Sequence, residues 1–394
     1  MKLFEEKKDC CGCGACQSVC PKNAIVMSFD EYGCAYPEIN RDKCVDCGAC
    51  VRVCPMPRRD RVSVPEKAYA AADSTDGILS SASGGVFFSL GSSALKNGAV
   101  LFGCAWSTES DTLTPIMTSA RNRDELELLQ GSKYVQAEAN GFYRAVKDEL
   151  DAGKEVVFSG TPCQNAALKN YLGKPYDGLY LIDIICHGVP GTEFFRDFVR
   201  QYEDDHRKKV KYIRFRDKIH SWGLNGSVTL SKNKEVGKKT MYEKECSYYS
   251  YFLRSLTYRE SCYSCPYACD ERAGDLTIGD FWGIETEHPE LVEAGALSID
   301  RGVSCVLVNT ARGEKLLERF GGKLILYPSE FQKIAAHNEQ LRKPSSKGSE
   351  RDTVMESYRL KGYKGVEECF SKEKTLKWRG KWISRRIKRR LKSF

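Results

Sequence analysis

The sequence lacks the features that would place the protein in a membrane or identify it as a hydrolase. No stretch approaches the roughly eighteen consecutive apolar residues that a membrane-spanning helix needs. The first ten residues, MKLFEEKKDC, have no apolar signal-peptide core, which predicts a cytoplasmic protein. Only five histidines occur in 394 residues, with no Ser-His-Asp or Cys-His hydrolase pattern. The sequence is rich instead in cysteine.

Positive charge is concentrated at one end of the chain. The formal net charge is +8, but the segment from Lys372 to Phe394 alone has eleven Lys and Arg residues and one acid, Glu373. Nucleic-acid-binding domains spread basic and aromatic residues over a face, so we expect no nucleic-acid partner. Apolar residues recur at helical spacing in 372–394, which predicts a basic amphipathic tail at the inner face of a membrane. A solvated or partner-bound helix is the alternative.

The nineteen cysteines indicate metal or redox chemistry. A composition of 41% hydrophobic and 29% charged residues is typical of a globular protein. In a reducing cytoplasm, thiols in such number are expected to bind metal or transfer electrons in preference to forming disulfides.

A cysteine motif occurs twice near the N-terminus, as CCGCGACQSVCP and CVDCGACVRVCP. Both copies fit C-x2-C-x2-C-x3-C-P, the spacing of bacterial ferredoxins with two 4Fe–4S clusters. In that arrangement, the fourth cysteine of each copy binds the cluster of the other copy. The first cluster is therefore predicted to bind Cys10, Cys13, Cys16 and Cys54. The second is predicted to bind Cys44, Cys47, Cys50 and Cys20.

Structural zinc is the alternative for these cysteines, but zinc sites usually use two CxxC pairs separated by a longer spacer. Two complete copies, each with three cysteines in seven residues and a trailing proline, favour clusters. Cys11 and Cys34 are surplus to the motif and are expected to remain unligated.

Further cysteines follow two apolar runs that read as buried strands. Cys163 comes just after EVVFSG and Cys186 ends LYLIDIIC, and each run precedes a helical stretch. The carboxyl ends of parallel strands gather at one sheet edge, where ligands bind. With Cys262 and Cys265 of a later CxxC, these thiols could hold a third cluster. They could equally be ordinary buried thiols, and a CxxC alone could bind zinc or act as a redox dithiol.

Several short motifs in a fixed order resemble a known family. SASGGVFFSL, GSKYVQ, GTPCQ, CHGVP and CYSC…RAGDLTIGDFWGIE together resemble the beta subunit family of coenzyme F420 hydrogenase/dehydrogenase, in its version with an N-terminal two-cluster ferredoxin segment. The resemblance covers roughly residues 5 to 340. It implies an FAD domain with one 4Fe–4S cluster held by Cys163, Cys186, Cys262 and Cys265. Cys269 competes as the fourth ligand, and we favour Cys186 because of its position at a strand end.

The resemblance also implies where FAD binds. Ser83, Gly84 and Gly85 form a small, polar loop that leads into a helix. The free amides at the start of a helix favour a bound phosphate. The alternative is that the loop only caps the helix. The segment GSKYVQ resembles a second contact with FAD and contributes Gly131, Ser132, Lys133 and Tyr134. Lys133 could contact a phosphate or the flavin ring, or could be a solvated surface residue.

The predicted fold is α+β, with four segments. Residues 1–60 form a bacterial-type dicluster ferredoxin domain, 66–205 an α/β FAD-binding domain, 206–345 an α+β C-terminal part with the CxxC, and 372–394 the basic tail. The catalytic residues cannot be named; His187 and the acids Asp275 and Asp280 are equally compatible with structural roles.

The predicted function is that of an iron–sulfur flavoprotein oxidoreductase. Electrons would pass from a ferredoxin-like donor, or another oxidoreductase subunit, through three clusters to FAD and an organic substrate. That substrate could be coenzyme F420 or an unnamed compound, for example in polysaccharide or envelope synthesis. The alternative is a non-catalytic electron-transfer subunit of a larger complex.

Overall fold

The computed structural model describes residues 2–56, 63–109, 111–232 and 235–375. Most of the predicted basic tail, 376–394, lies outside these ranges, and helical backbone continues through residues 363–375. None of the helices in the described ranges is long and apolar enough to cross a bilayer.

Strands are distributed over the whole chain and form three sheets. Their bounds are β1 (Ile25–Phe29), β2 (Ala35–Ile39), β3 (Lys67–Asp73), β4 (Val100–Ser107), β5 (Thr114–Ala120), β6 (Val156–Gly160), β7 (Leu179–Ile184), β8 (Lys209–Arg214), β9 (Gly226–Lys232), β10 (Glu235–Met241), β11 (Leu276–Asp280), β12 (Ser304–Val308) and β13 (Leu324–Ser329).

Helices alternate with the strands, and short 3₁₀ helices cover Lys7–Asp9, Glu260–Ser264 and Glu339–Leu341. The α-helices are α1 (Ala15–Val19), α2 (Ala49–Arg52), α3 (Gly77–Ser80), α4 (Val86–Lys96), α5 (Arg123–Leu129), α6 (Phe142–Asp151), α7 (Pro162–Leu172), α8 (Thr192–His206), α9 (Ser247–Leu253), α10 (Ile284–Glu287), α11 (Pro289–Glu293), α12 (Ala311–Phe320), α13 (Phe331–His337) and α14 (Arg351–Lys361).

The central sheet has eight strands in the order β13-β3-β12-β11-β7-β6-β4-β5. Four adjacent strands of this sheet are parallel to one another: β11, β7, β6 and β4. The other four strands pair antiparallel with their neighbours: β5, β12, β3 and β13. The parallel strands are rich in buried apolar residues because both faces of the sheet are covered. Because these strands are parallel, their carboxyl ends meet at one edge of the sheet, as the βα alternation predicts.

The N-terminal segment packs on one face of this sheet. Ala15 of α1 and Val53 share an apolar cluster with Phe142, Tyr143 and Phe158, which belong to α6 and β6. The opposite face is covered by α4 and α12, whose side chains meet those of β4, β6 and β7. The predicted ferredoxin segment is thus part of the main core.

The strands predicted at GAVLFGCAW, EVVFSG and LYLIDIIC are present as β4, β6 and β7, and the mixed α/β class is confirmed. The shorter strands predicted after residue 210 form the antiparallel sheet β10-β9-β8. The central sheet takes strands from both the 66–205 and the 206–345 segments, and the division into those two domains stays a prediction.

Candidate functional site

The eight motif cysteines fall into two groups of four neighbours, although no three ligand side chains in the described residues are close enough to hold a single metal ion. Burial and the neighbouring thiols Cys13, Cys10 and Cys54 raise the pKa of Cys16 well above its usual value, which places these four side chains together. We call this group, whose members are all half-buried, the buried quartet: Cys10, Cys13, Cys16 and Cys54. The second group lines a small separate pocket, and we call it the surface quartet: Cys20, Cys44, Cys47 and Cys50.

Each motif reverses the chain at an equivalent glycine. Gly14 precedes α1 with φ +75°, and Gly48 precedes α2 with φ +72°. A left-handed conformation is natural only for glycine, and it lets three cysteines of each motif turn around one centre. The fourth cysteine of each motif, Cys20 or Cys54, follows its short helix and joins the other group. These positions agree with the predicted exchange of fourth cysteines between the motifs, and the ligand sets stay a prediction.

A cavity of about 530 Å³ lies at the carboxyl ends of the parallel strands. It collects most residues that the sequence predicts to bind FAD or the third cluster. Those in its wall are Ser83, Gly85, Gly131, Ser132, Lys133, Tyr134, Cys163, Cys186, Cys262 and Cys265. Two N-terminal residues, Cys11 and Cys13, also reach the wall of this cavity.

Gly84 has a different position from its neighbours. Its N–H donates to Ser304 Oγ at 2.8 Å, and a Cβ atom there would lie 2.4 Å from the carbonyl oxygen of Ala71. Gly84 thus allows the loop to pack against β3 and β12, and it is not among the residues that line the cavity.

Four thiols in the cavity wall come from three separate parts of the chain. Cys163 lies in the first turn of α7, Cys186 follows β7, and Cys262 and Cys265 flank the end of a 3₁₀ helix. We call them the cavity quartet. Burial raises the pKa of Cys186 well above its usual value, and the neighbouring thiols Cys262, Cys163 and Cys265 raise it further.

A buried ion pair fixes the CxxC loop to the sheet. Asp183 of β7 accepts a hydrogen bond from Arg272 at 2.9 Å, and both side chains are almost completely buried. Asp183 also accepts the N–H groups of Ala273 and Gly274, at 3.1 and 2.8 Å. Because every oxygen of this carboxylate is bonded, the loop that follows the CxxC is held beside the end of β7.

Cys269, the competing ligand, points elsewhere. Its thiol donates to the carbonyl oxygens of Pro266 and Glu271, at 3.4 and 3.5 Å, and it is absent from the described lining of the cavity. This placement favours Cys186, which stays a prediction.

Cys11 connects the buried quartet with the cavity quartet. Hydrogen bonds to Cys13 and Cys163, together with burial, raise the pKa of the Cys11 thiol well above its usual value. The same hydrogen bond from Cys11, opposed by burial, lowers the pKa of Cys163 to about 7. Because the thiolate is the form that binds metal, Cys163 is prepared to act as a ligand near neutral pH.

Lys133 is half-buried, and its ammonium is hydrogen-bonded to the chain, so it is not a freely solvated surface lysine. Its Nζ donates to the carbonyl oxygens of Leu128, Leu129 and Gln130, at 3.2, 3.1 and 2.8 Å. Burial lowers the pKa of this ammonium to about 8. Its three donors close the end of α5, and its predicted contact with FAD remains a prediction.

Charged and aromatic groups form another part of the cavity wall. Arg216 binds Asp280 through two hydrogen bonds of 2.7 and 3.0 Å, and its guanidinium lies 5.0 Å from the ring centre of Trp282. His187 lines the same cavity and is exposed to it, and desolvation by the cavity walls lowers its pKa. The sequence pointed to two of these residues, because Asp280 ends a predicted strand and His187 directly follows Cys186. Nothing in the sequence pointed to Arg216.

Arg259 is the second residue that sequence reasoning missed. Its guanidinium donates to the carbonyl oxygens of Cys10 and Ala35, both at 3.1 Å, and to Gln136 Oε1 at 2.5 Å. Gln136 in turn donates to the carbonyl oxygen of Cys11 at 2.8 Å. These bonds attach the N-terminal cysteine loop to the cavity wall.

Comparisons with known proteins identify two segments of the chain. Residues 153–330 match the family that comprises the C terminus of the beta subunits of coenzyme F420 hydrogenase/dehydrogenase, and residues 9–57 match the family "4Fe-4S dicluster domain". No curated protein matches the chain.

Among solved structures, a chain of the F420-reducing NiFe hydrogenase complex from Methanosarcina barkeri, studied as a xenon derivative, is similar. The two share 15% sequence identity, with a TM-score of 0.43, and the match covers 77% of this chain and 96% of that one.

The dicluster prediction is thus confirmed at the level of the family. Residues 9–57 match a 4Fe–4S dicluster family, and residues 153–330 are similar to the C-terminal family of coenzyme F420 hydrogenase/dehydrogenase beta subunits.

Proposed function

We propose that this chain is an iron–sulfur flavoprotein that conducts electrons between its surface and an organic substrate. In this proposal the surface quartet and the buried quartet each hold one 4Fe–4S cluster. The cavity quartet holds a third cluster, and FAD occupies the remainder of the cavity. The deazaflavin coenzyme F420 is one candidate substrate, because residues 153–330 match a family with that name.

One observation carries the proposal. Thiols of the buried quartet and the cavity quartet lie in the wall of one cavity, together with the predicted FAD-binding loops. Cys13 belongs to the buried quartet and Cys163 to the cavity quartet. The Cys11 thiol is hydrogen-bonded to the thiols of both residues. Electron transfer between centres requires them to be close. The shared cavity supports such proximity, because Cys11, Cys13 and Cys163 all line it.

The residues in the cavity fit a cluster and a flavin. All four thiols of the cavity quartet are free of disulfides. Ser261 Oγ and Arg259 Nε line the cavity and have no hydrogen-bond partner in the described residues, although buried donors are normally bonded. Both donors are therefore available to a bound group. A volume of about 530 Å³ is also within the usual range for cofactor sites.

The first turn of α4 provides a place for the FAD phosphates. Gly85 adopts φ +83° at the beginning of this eleven-residue helix, and Ser83 and Val86 line the cavity beside it. Free amides at a helix start favour an anion. When bound, FAD would exchange electrons singly with clusters and in pairs with a substrate.

The proposal is tested by the composition of protein purified without oxygen. About twelve irons and one FAD per chain are expected, since each 4Fe–4S cluster contributes four irons. About eight irons and no FAD would contradict the cavity assignment.

Cys186→Ala and Cys269→Ala form a matched pair for the fourth ligand. Cys186→Ala should lose about four irons with the dicluster segment intact, because one cubane loses a ligand. Cys269→Ala should keep all its iron. The reverse result would make Cys269 the ligand.

The second candidate is a non-catalytic electron-transfer subunit, which the beta-subunit family match favours. Turnover by the isolated chain with reduced ferredoxin or coenzyme F420 separates the two. Activity without any partner supports the enzyme. Cofactors that are reduced but do not turn over support the electron-transfer role.

A further inference from the structure

Two arginines, Arg259 and Arg272, are each only 1% exposed, and their charges are balanced differently. Arg272 forms an ion pair with Asp183, which is itself 0% exposed. That pair is neutral as a unit. Burial of a charge is costly unless a partner compensates it, and Arg272 has such a partner.

Arg259 has no carboxylate partner in the described part of the chain. Its hydrogen bonds go to two backbone carbonyls and to the amide oxygen of Gln136, all of which are neutral. The ring of Tyr36 lies 4.6 Å from the guanidinium carbon, and Nε has no partner. A guanidinium cannot lose its proton in a protein, so Arg259 remains a buried cation.

The thiols around Arg259 indicate what could compensate this charge. Its guanidinium interacts electrostatically with Cys34, Cys10 and Cys262, and its own carbonyl oxygen accepts the N–H of Cys262 at 3.0 Å. It also lowers the pKa of Cys163, after the larger contribution of the hydrogen bond from Cys11. Cys10 belongs to the buried quartet, whereas Cys262 and Cys163 belong to the cavity quartet. The cation therefore stands between two groups of predicted iron ligands.

We propose that Arg259 is a counter-charge shared by two iron–sulfur clusters, one in the buried quartet and one in the cavity quartet. This inference rests on the clusters of the proposed function. A 4Fe–4S cluster with four thiolates is an anion, and each added electron gives it one more negative charge. A fixed cation nearby stabilises the reduced form more than the oxidised form and raises the reduction potential.

The position of Arg259 has a second consequence. Its bonds to Cys10 and Ala35 join the N-terminal segment to the loop that carries Cys262. The same side chain thus holds the two groups of ligands together and makes their reduced forms easier to reach. Arg259 acts through charge and position, and it contributes no ligand.

The test compares Arg259→Met with Arg259→Lys. Neither variant keeps the hydrogen-bonding fork, but only the lysine variant keeps a positive charge. Dithionite, through redox mediators, would deliver single electrons, and electron paramagnetic resonance would follow each reduced cluster as the potential is lowered. Arg319→Met is the control, because Arg319 is paired with Glu155 and belongs neither to the cavity wall nor to the N-terminal segment.

For Arg259→Met, we expect at least a tenfold loss of reduced cluster at a fixed potential, equivalent to a shift of about 59 mV to lower potential for a one-electron couple. Arg259→Lys should remain within threefold of the unaltered chain, as should Arg319→Met. Loss of iron in the Met variant but not in the Lys variant also supports the proposal, because charge is the difference between them. Equal potentials, or equal loss of iron, in the Met and Lys variants would overturn it.

The proposed function can fail separately. About eight irons in the unaltered chain would remove the third cluster, because two cubanes account for that number. The difference between the Met and Lys variants at the buried quartet would still test the role of Arg259.

Discussion

The two N-terminal quartets come from copies of the same motif but occupy different surroundings. In the buried quartet, burial raises the pKa of Cys10, Cys16 and Cys54, and Cys13 reaches the cavity. In the surface quartet Cys50 is buried and burial raises its pKa as well, but Cys47 is exposed, and the nearby Val45 and Val51 are 58% and 42% exposed. The comparison teaches that two sites with identical ligand spacing can differ in role, because their surroundings differ. In the proposed function, the surface quartet would meet the donor and the buried quartet would pass electrons inward.

Removal of one ligand from each quartet should produce the largest difference. Cys13→Ala and Cys47→Ala should each lose about four irons, because each loses one cubane. A small reductant, such as reduced methyl viologen, should still reduce the flavin in Cys47→Ala through the buried quartet. In Cys13→Ala this reduction should be slow, since the centre beside the cavity is gone. Equal rates of flavin bleaching in stopped-flow absorbance would remove the distinction between the quartets.

Equivalent glycines give the next largest effect. Gly14→Ala and Gly48→Ala should each lose about 1–2 kcal/mol of unfolding free energy to backbone strain, because both glycines have a left-handed backbone conformation. A Cβ atom at Gly14 would lie 2.9 Å from Ala139 Cβ, whereas at Gly48 it meets only the flexible Arg52 side chain at 3.2 Å. Overpacking should therefore add about 1–3 kcal/mol for Gly14→Ala alone.

Anaerobic denaturant unfolding measures this difference between the two glycine variants. The unaltered chain serves as the reference for both. If Gly48→Ala were the more destabilised variant, the N-terminal segment would not be packed against Ala139 as described.

Hydrogen bonds to the cysteine backbone should give the smallest effect. Tyr143 donates to the carbonyl oxygen of Cys13 at 3.0 Å, and Arg52 donates to that of Cys47 at 3.0 Å. Tyr143→Phe should cost about 1 kcal/mol in unfolding free energy, because a buried acceptor loses its partner. Arg52→Met should stay within about 0.5 kcal/mol, because the site is solvated. Equal costs in the same unfolding assay would show that the two loops are equally exposed.

The cysteine groups and the parallel strands could be predicted from the sequence because their signals are local. Fixed spacing defines the motif quartets, and βα alternation brings the ends of β6 and β7 together. Arg259 could not be predicted, because its bond to Cys10 joins residues 249 positions apart. Lys133 is predicted to contact FAD, and that contact stays a prediction. In the fold its ammonium is bonded to carbonyl oxygens at the end of α5, only three to five residues before it. The residue type alone leaves several possible partners open to a polar side chain.

The central claim is that the buried quartet and the cavity quartet hold neighbouring clusters with Cys11 between them. Electron paramagnetic resonance of fully reduced Cys47→Ala tests it directly, because the surface cluster is then absent. We expect spectra of two clusters whose spins interact, and loss of the interaction when Cys163→Ala is added. A single spectrum without interaction, from one cluster only, would contradict the claim.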